Sequence, residues 1–174
     1  TIRGLIVNRF SGTGIDITGS SNHTIQGNWI GLNSTGTAAA ANGGKGLYAI
    51  NSSGLLIGGT SAAERNVISG NAEQGIGFDN VDNSTISGNY VGTNAAGTAD
   101  VNGAVANTAQ SGVYLANGSS GNTVGGTSAD ARNVLSGNNH FGFEVINATS
   151  QNNLLQGNYI GTDVTGTLNR GNRI

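Results

Sequence analysis

Two phrases alternate along this chain, and their return is the feature that most limits how it can fold. The first reads QGNWIGLNSTGT at 26–37, SGNYVGTNAAGT at 87–98 and QGNYIGTDVTGT at 156–167. The second reads GGTSAAERNVISGN at 58–71 and GGTSADARNVLSGN at 125–138, identical at 11 of 14 positions. Each unit spans roughly 30 residues, the length of one coil of a solenoid. The chain therefore builds its core by stacking neighbouring units.

Short apolar pairs mark three strands in each unit. A spacing of two residues puts both side chains of a pair on one face of a strand. The first and second strands are marked by Ile25/Asn28/Ile30, Ile57/Asn66/Ile68, Ile86/Asn89/Val91, Val124/Asn133/Leu135 and Leu155/Asn158/Ile160. The third strand is marked by Ile15/Ile17, Leu47/Ala49, Ile76/Phe78, Val113/Leu115 and Phe143/Val145. We predict an all-β fold, a parallel β-helix of about six coils with three short strands per coil.

Asparagine occurs 25 times among 174 residues, and one copy recurs at the same place in each coil. These aligned residues are Asn28, Asn66, Asn89, Asn133 and Asn158. We expect an inner ladder of amides, each hydrogen-bonded to the coils above and below. The alternative is a set of turn asparagines with positive φ.

The NTVGGT, RNVISGN and GNYIGTDVTGT phrases resemble the repeats of the pectin-lyase-like superfamily, which form tandem arrays in large bacterial secreted and surface proteins. The resemblance covers essentially the whole chain and implies that the β-helix is right-handed. It implies no single function, because this architecture carries polysaccharide lyases, glycoside hydrolases, adhesins and plain spacers.

Composition limits the partners and the compartment. The net charge is −2 and the seven Lys and Arg residues are scattered, which disfavours nucleic acid. No apolar run approaches the roughly 20 residues of a membrane span, so we expect no membrane insertion. The chain has no Cys and no Met, which fits an extracellular or cell-surface protein. It starts inside a strand-like segment and stops at Ile174, where a third strand would begin, so we interpret 1–174 as one β-helix segment cut from a longer array.

Acidic residues do not converge in the predicted fold. Asp16 and Glu144 face outward on the third strand about four coils apart, near 19 Å, which is too far for joint hydrolysis. Asp79 and Asp82 form a local pair in a turn, where Asp is common. Arg65 and Arg132 come with the repeat, so hydrogen bonds to loop carbonyls are favoured over a lyase role. We predict no catalytic, cofactor-binding or metal-binding residues, and no cofactor.

Two sets of outward residues are candidates for contact with a glycan or protein. The first is an apolar stripe on the second strand, formed by Ile6, Trp29, Val67, Tyr90, Val134 and Tyr159. It is either an exposed binding surface or a surface that the inserted loops cover. The second is Tyr48 with Tyr114 on the third strand, about 10 Å apart. They could stack on alternate sugars or be ordinary strand tyrosines.

Repeat fidelity without convergent acids favours a non-enzymatic extracellular module, structural or adhesive, that extends by coil stacking and so could form filaments. Its partners would be other β-helix coils, copies of itself or a polysaccharide. The alternative is a fragment of a polysaccharide lyase or glycoside hydrolase that acts on an acidic glycan. Ice binding is a third option, which the broken outward series on the first strand disfavours; that series is Thr24, Leu56, Thr85, Thr123 and Leu154.

Overall fold

The computed structural model describes residues 1–102 and 111–173, and these residues form successive coils of three strands. Coil 1 contains β1 (Ile2–Arg3), β2 (Ile6–Val7) and β3 (Ile15–Thr18), and coil 2 contains β4 (Thr24–Gln26), β5 (Trp29–Ile30) and β6 (Leu47–Ser53). Coil 3 contains β7 (Leu56–Gly58), β8 (Val67–Ile68) and β9 (Ile76–Asp82), and coil 4 contains β10 (Thr85–Ser87), β11 (Tyr90–Val91) and β12 (Val113–Ala116). Coil 5 contains β13 (Thr123–Gly125), β14 (Val134–Leu135) and β15 (Phe143–Val145), and coil 6 contains β16 (Leu154–Gln156) and β17 (Tyr159–Ile160).

Equivalent strands of successive coils pair in parallel and build three sheets. The first and second sheets have six strands each and the third has five. Each sheet follows coil order without a crossover, so every strand pairs only with the equivalent strands of the coils above and below it. This arrangement confirms the prediction of an all-β, parallel β-helix of about six coils. The right-handed winding stays a prediction, and Ile174 lies outside the described residues.

The apolar pairs found in the sequence point inward and fill the space between the sheets. Ile25 pairs in register with Ile57, and Ile30 with Ile68. All four side chains are fully buried. The core is therefore a set of apolar columns that run along the helix axis, and each coil depends on its neighbours for burial.

Glycine is required where a corner of one coil packs directly on the next. Gly58 has a φ of +86° and Gly92 a φ of +99°. A Cβ at Gly58 would collide with the carbonyl oxygen of Ser87, and one at Gly92 with that of Ser136. Both corners therefore combine a left-handed conformation with close contact between backbones.

In the described ranges, no helix is long and apolar enough to cross a bilayer.

Candidate functional site

The five aligned asparagines form one continuous row at the inner corner between the first and second sheets. The Nδ2 of Asn66 donates to the Oδ1 of Asn89 at 2.9 Å, and the backbone N–H of Asn66 donates to the same oxygen at 3.2 Å. The Nδ2 of Asn66 also donates to the carbonyl of Ile25 at 2.8 Å. The same pattern links Asn28 to Asn66, Asn89 to Asn133, and Asn133 to Asn158.

Positive φ belongs to a different set of asparagines in the described residues. These are Asn22, Asn51, Asn80, Asn83, Asn117, Asn147 and Asn152. The inner row is therefore built from side-chain hydrogen bonds between coils rather than from left-handed turns. Since each amide satisfies donors and an acceptor in a buried corner, the row makes the coil register specific.

A second inner row, which the sequence analysis missed, lies at the corner between the second and third sheets. It consists of Asn42, Asn71, Asn102, Asn138 and Asn172, with amide-to-amide bonds from Asn42 to Asn71 at 2.9 Å, Asn102 to Asn138 at 2.7 Å, and Asn138 to Asn172 at 2.9 Å. A signal was present in the last letter of the RNVISGN and RNVLSGN phrases. In the other coils a hairpin loop separates the asparagine from its strand, so alignment by strands did not find it.

The middle of the outward apolar stripe is buried. Val67 and Val134 are each 2% exposed and Tyr90 is 6% exposed, whereas Trp29 and Tyr159 are half-buried. Leu32, Val101, Ala95 and Val164 from the loops pack against this stripe and form a second apolar cluster outside the helix. The stripe is therefore mainly an interface with the chain's own loops.

The covering loops are small hairpins that stack on each other. They are closed by antiparallel bridges between Leu32 and Ala39, between Thr93 and Asp100, and between Thr162 and Asn169. The N–H of Ala95 donates to the carbonyl of Gly36 at 2.9 Å, and the N–H of Val164 donates to that of Gly97 at 2.9 Å. Loops from alternate coils thus form a column of their own beside the second sheet.

Two arginines close the stripe over its tyrosines. The guanidinium carbon of Arg65 lies 4.2 Å from the centre of the Tyr90 ring, and its Nε donates to the carbonyl of Gly88 at 3.1 Å. Arg132 repeats both contacts in the next pair of coils, 4.0 Å from the Tyr159 ring and 2.9 Å from the carbonyl of Gly157. Both arginines therefore join one coil to the next, each through its Nε and through one face of its guanidinium group.

The outward face of the third sheet contains the other two candidate tyrosines. Tyr48 and Tyr114 both pair with Gly77, one from each side, so they stand two coils apart with a glycine between them. The ammonium group of Lys45 lies 4.7 Å from the centre of the Tyr48 ring and 2.9 Å from a carboxylate oxygen of Glu73. Both tyrosines are half-buried, and the gap over Gly77 is partly filled by the Lys45 chain.

Burial and nearby carboxylates raise the pKa of both tyrosines. The hydroxyl of Tyr48 donates to Oδ2 of Asp79 at 3.2 Å. Burial and then the Asp79 carboxylate raise the pKa of Tyr48 to about 12. Burial, and to a smaller extent the Glu144 carboxylate, also raise the pKa of Tyr114. Both phenols therefore stay protonated and can donate hydrogen bonds at neutral pH.

The carboxylates of Asp79 and Asp82 have different hydrogen-bond partners. Asp79 accepts a hydrogen bond from Tyr48, whereas Oδ1 of Asp82 accepts the backbone N–H of Ser120 at 2.9 Å. The two carboxylates are thus held by different coils. Among the described residues, no group of three or more His, Cys, Asp or Glu side chains could hold a metal ion.

One serine, histidine and glutamate do meet, between coils 4 and 5. The hydroxyl of Ser111 donates to Oε2 of Glu144 at 2.6 Å, and its oxygen lies 3.2 Å from Nδ1 of His140. A nucleophilic serine would give its proton to the histidine, with the carboxylate behind the ring. Here the serine bonds to the carboxylate directly and is only 1% exposed. The arrangement is that of a structural hydrogen-bond cluster.

Comparison with protein-family models, with curated proteins and with solved structures found no match. The class of the protein is therefore defined by its coils alone, as a parallel β-helix-like fold with in-register stacking. Membership of the pectin-lyase-like superfamily rests on the repeat phrases and stays a proposal.

Proposed function

We propose that this chain is a non-enzymatic extracellular or cell-surface module, structural or adhesive, that extends by coil stacking through coil 6. One observation carries the proposal. Leu155 is 39% exposed and Ile160 is 45% exposed, although their register partners Val124 and Leu135 in coil 5 are fully buried. The apolar columns of the core therefore continue to the surface of coil 6.

Coil 6 also has backbone N–H groups that point away from coil 5. The N–H of Leu154 donates to the carbonyl of Asn122 at 2.8 Å, and the N–H of Tyr159 donates to that of Asn133 at 2.9 Å. Successive N–H groups of a parallel strand point to opposite neighbours. The N–H groups of Leu155 and Ile160 therefore point away from coil 5, towards the place where another coil would lie. Such an edge pairs readily with a further strand.

The two ends of the stack are unlike. Leu5 occupies the ladder position in coil 1 and donates its N–H to Oδ1 of Asn28 at 3.0 Å. Phe10 does the same towards Asn42 at 3.2 Å. Coil 1 thus has no side-chain amide at either corner, and coil 6 has Asn158 and Asn172. Both amide rows therefore stop at coil 1 and are open at coil 6, and a copy of the chain stacked on coil 6 would join it through the strand edges and the apolar columns.

Sedimentation and negative-stain electron microscopy test this proposal. We expect end-to-end association of the chain at rising concentration, which Ile160→Lys abolishes because the charge lies on the open core. Leu168→Lys is the matched control, since Leu168 is exposed on a loop at the side of the stack. A chain that stays monomeric at every concentration, or equal effects of the two variants, would contradict the proposal.

A second candidate function is polysaccharide contact by the third sheet. Two half-buried tyrosines two coils apart, flanked by Asp16, Asp79 and Glu144, favour it because alternate sugars can stack on such rings. A glycan array probed with the chain and with Tyr114→Ala tests binding. An assay of uronate release from acidic polysaccharides tests the enzymatic version. Turnover that Asp79→Ala abolishes would overturn the non-enzymatic proposal.

A further inference from the structure

Gly77 is the only glycine inside a strand of the described residues. Gly58 and Gly125 end their strands at corners and have a positive φ, whereas Gly77 is the second residue of β9 and does not. Its backbone conformation therefore does not require glycine. Glycine weakens the interior of a strand, and it often marks a place where a ligand approaches closely.

The absent side chain leaves a slot on the outward face of the third sheet. Tyr48 pairs with Gly77 from coil 2, and Tyr114 pairs with it from coil 4, so the slot has an aromatic wall on each side. Two coil steps separate these walls by about 10 Å. A sugar ring midway between them would lie about 5 Å from each, within the range of ring stacking. We call this place the Gly77 slot.

The Gly77 slot lies within the stack and not at an end of it. Coil 1 continues the same sheet beyond Tyr48 through Asp16, and coil 5 continues it beyond Tyr114 through Glu144. The exposure of the slot therefore does not depend on what precedes Thr1 or follows Ile174.

The chain itself places an alkylammonium group in the slot. A Cβ added at Gly77 would lie 2.9 Å from Cδ and 3.2 Å from Cε of Lys45, and next to the Tyr48 ring at 3.4 Å. The Lys45 ammonium lies 4.7 Å from the centre of that ring and 2.9 Å from a carboxylate oxygen of Glu73. The side chains of this ion pair are 23% and 42% exposed, so the pair is weak and another cation can displace Lys45.

The charges around the slot favour a cationic ligand. Asp79 accepts a hydrogen bond from the Tyr48 hydroxyl at 3.2 Å, Glu73 pairs with Lys45, and Glu144 lies beyond the other wall. His140 lies 3.8 Å from Glu144 and neutralises it only when protonated. Three carboxylates thus face one lysine, which is the only lysine in the chain. An acidic sugar would be repelled here and an ammonium group attracted.

We propose that the Gly77 slot binds a glycan at a sugar ring that carries a free amino group, and that Lys45 is the internal occupant that this sugar displaces. The ring stacks between Tyr48 and Tyr114, and its ammonium group replaces that of Lys45 at Glu73. This inference rests on the second candidate function, contact of the third sheet with a polysaccharide, and names the class of sugar.

The two walls favour a sugar over a small amine. An amine without a ring would contact Tyr48 and Glu73, as Lys45 does, and would leave the outward face of Tyr114 in water. A sugar ring covers both tyrosines at once. It also gains the contact with Tyr114 that the Lys45 chain is not described to make.

Calorimetric titration with a short chitosan oligomer tests the class of ligand. The controls are the same oligomer with every amine acetylated, an oligogalacturonate of equal length, and n-butylamine. We expect saturable binding of the chitosan oligomer and at least about tenfold weaker binding of each control, because each control lacks either the positive charge or the ring.

Gly77→Val separates a ligand site from a glycine with a structural role. The added side chain fills the slot and meets only the flexible Lys45 chain and the Tyr48 ring. Valine favours strands, so the midpoint of thermal unfolding should stay the same or rise while binding of the oligomer is lost. Thr18→Val is the matched control, because Thr18 is exposed on the same sheet two coils away and its change should leave binding as it is.

Lys45 provides a direct readout of displacement. Reductive methylation with isotope-labelled formaldehyde keeps the charge of the amine and yields one lysine NMR signal, beside that of the amino terminus. This signal should move towards the position of a free lysine as the oligomer binds. Lys45→Ala should tighten binding about two- to fivefold, the size of one partly exposed ion pair.

Three results would overturn this inference. They are binding that Gly77→Val leaves unchanged, equal binding of the chitosan oligomer and its acetylated form, and a Lys45 signal that does not move at saturation. Failure of the wider function is distinguishable from these results. If no glycan binds the chain, polysaccharide contact by the third sheet fails as well, whereas binding that Tyr114→Ala abolishes and Gly77→Val does not would keep that function and reject the slot.

Discussion

The side chain and the backbone of Asn66 both donate to one oxygen, Oδ1 of Asn89, at 2.9 and 3.2 Å. This pair of hydrogen bonds between coils 3 and 4 recurs through the inner row. Each amide also donates to a backbone carbonyl of the coil before it, so one side chain ties together three coils. The order of the stack therefore depends on polar contacts as much as on the apolar columns.

Removal of a central ladder amide should be costly. Asn89→Ala removes the acceptor of the Asn66 N–H and a donor to the carbonyl of Ile57 in a fully buried corner. We expect a loss of about 2–4 kcal/mol in the free energy of unfolding, measured by urea titration. Asn158→Ala is the control, because water reaches coil 6 and can replace the lost bonds. Equal losses for the two variants would contradict this account of the row.

The arginine that joins coils 3 and 4 should contribute through its ring contact and its hydrogen bond. Arg65→Ala is expected to lower the free energy of unfolding by about 1–2 kcal/mol. Arg65→Lys should retain less than half of this contribution, because an ammonium group cannot contact both the Tyr90 ring and the Gly88 carbonyl as a planar fork does. Thermal unfolding of both variants checks the prediction. A lysine variant as stable as the unchanged chain would contradict it.

Acid should open one hairpin and spare its two counterparts. Hydrogen bonds from Thr165 and then from backbone N–H groups lower the pKa of Asp163 below its usual 3.8. Because the folded pKa is the lower one, the stabilisation is complete above pH 3.8 and is lost as the pH falls through the folded value. Asn33 and Asn94 occupy the same position in the other hairpins and do not titrate.

NMR shifts of the Thr167 amide against pH measure this effect, with the Thr37 and Thr98 amides as internal controls. Asp163→Asn should remove the transition and leave the hairpin closed. A transition of similar size at Thr37 would mean that the change is global rather than local.

Alkaline titration should show a late ionisation of Tyr48. The pKa of Tyr48 is raised to about 12, so the protonated phenol is favoured in the folded state. Its contribution to stability is complete below pH 10 and is lost as the pH rises through 12. Ultraviolet difference spectroscopy should show a late phenolate transition that Tyr48→Phe removes. A late transition unchanged in that variant would show that another tyrosine is responsible.

The sequence predicted the fold because coil length, the two-residue spacing of apolar pairs and the position of the first asparagine row all repeat along the chain. It could not predict the Arg65–Tyr90 contact, since the partners lie in different coils and their approach depends on where a loop returns. For the same reason, the sequence did not decide whether the apolar stripe is exposed or covered by the loops. Whether Leu32 and Ala95 fold onto Tyr90 is decided by hairpin geometry rather than by composition.

The most direct test of coil extension uses a chain in which residues 1–172 are followed by residues 43–82, which complete coil 6 and add a seventh coil. Amide hydrogen exchange is then measured at Leu155 and Ile160. We predict rapid exchange at both amides in the original chain and protection by at least about tenfold in the extended chain. Leu154 and Tyr159, already bonded to coil 5, serve as internal references. Unchanged exchange at Leu155 and Ile160 would contradict the claim that coil 6 is an edge built to receive another coil.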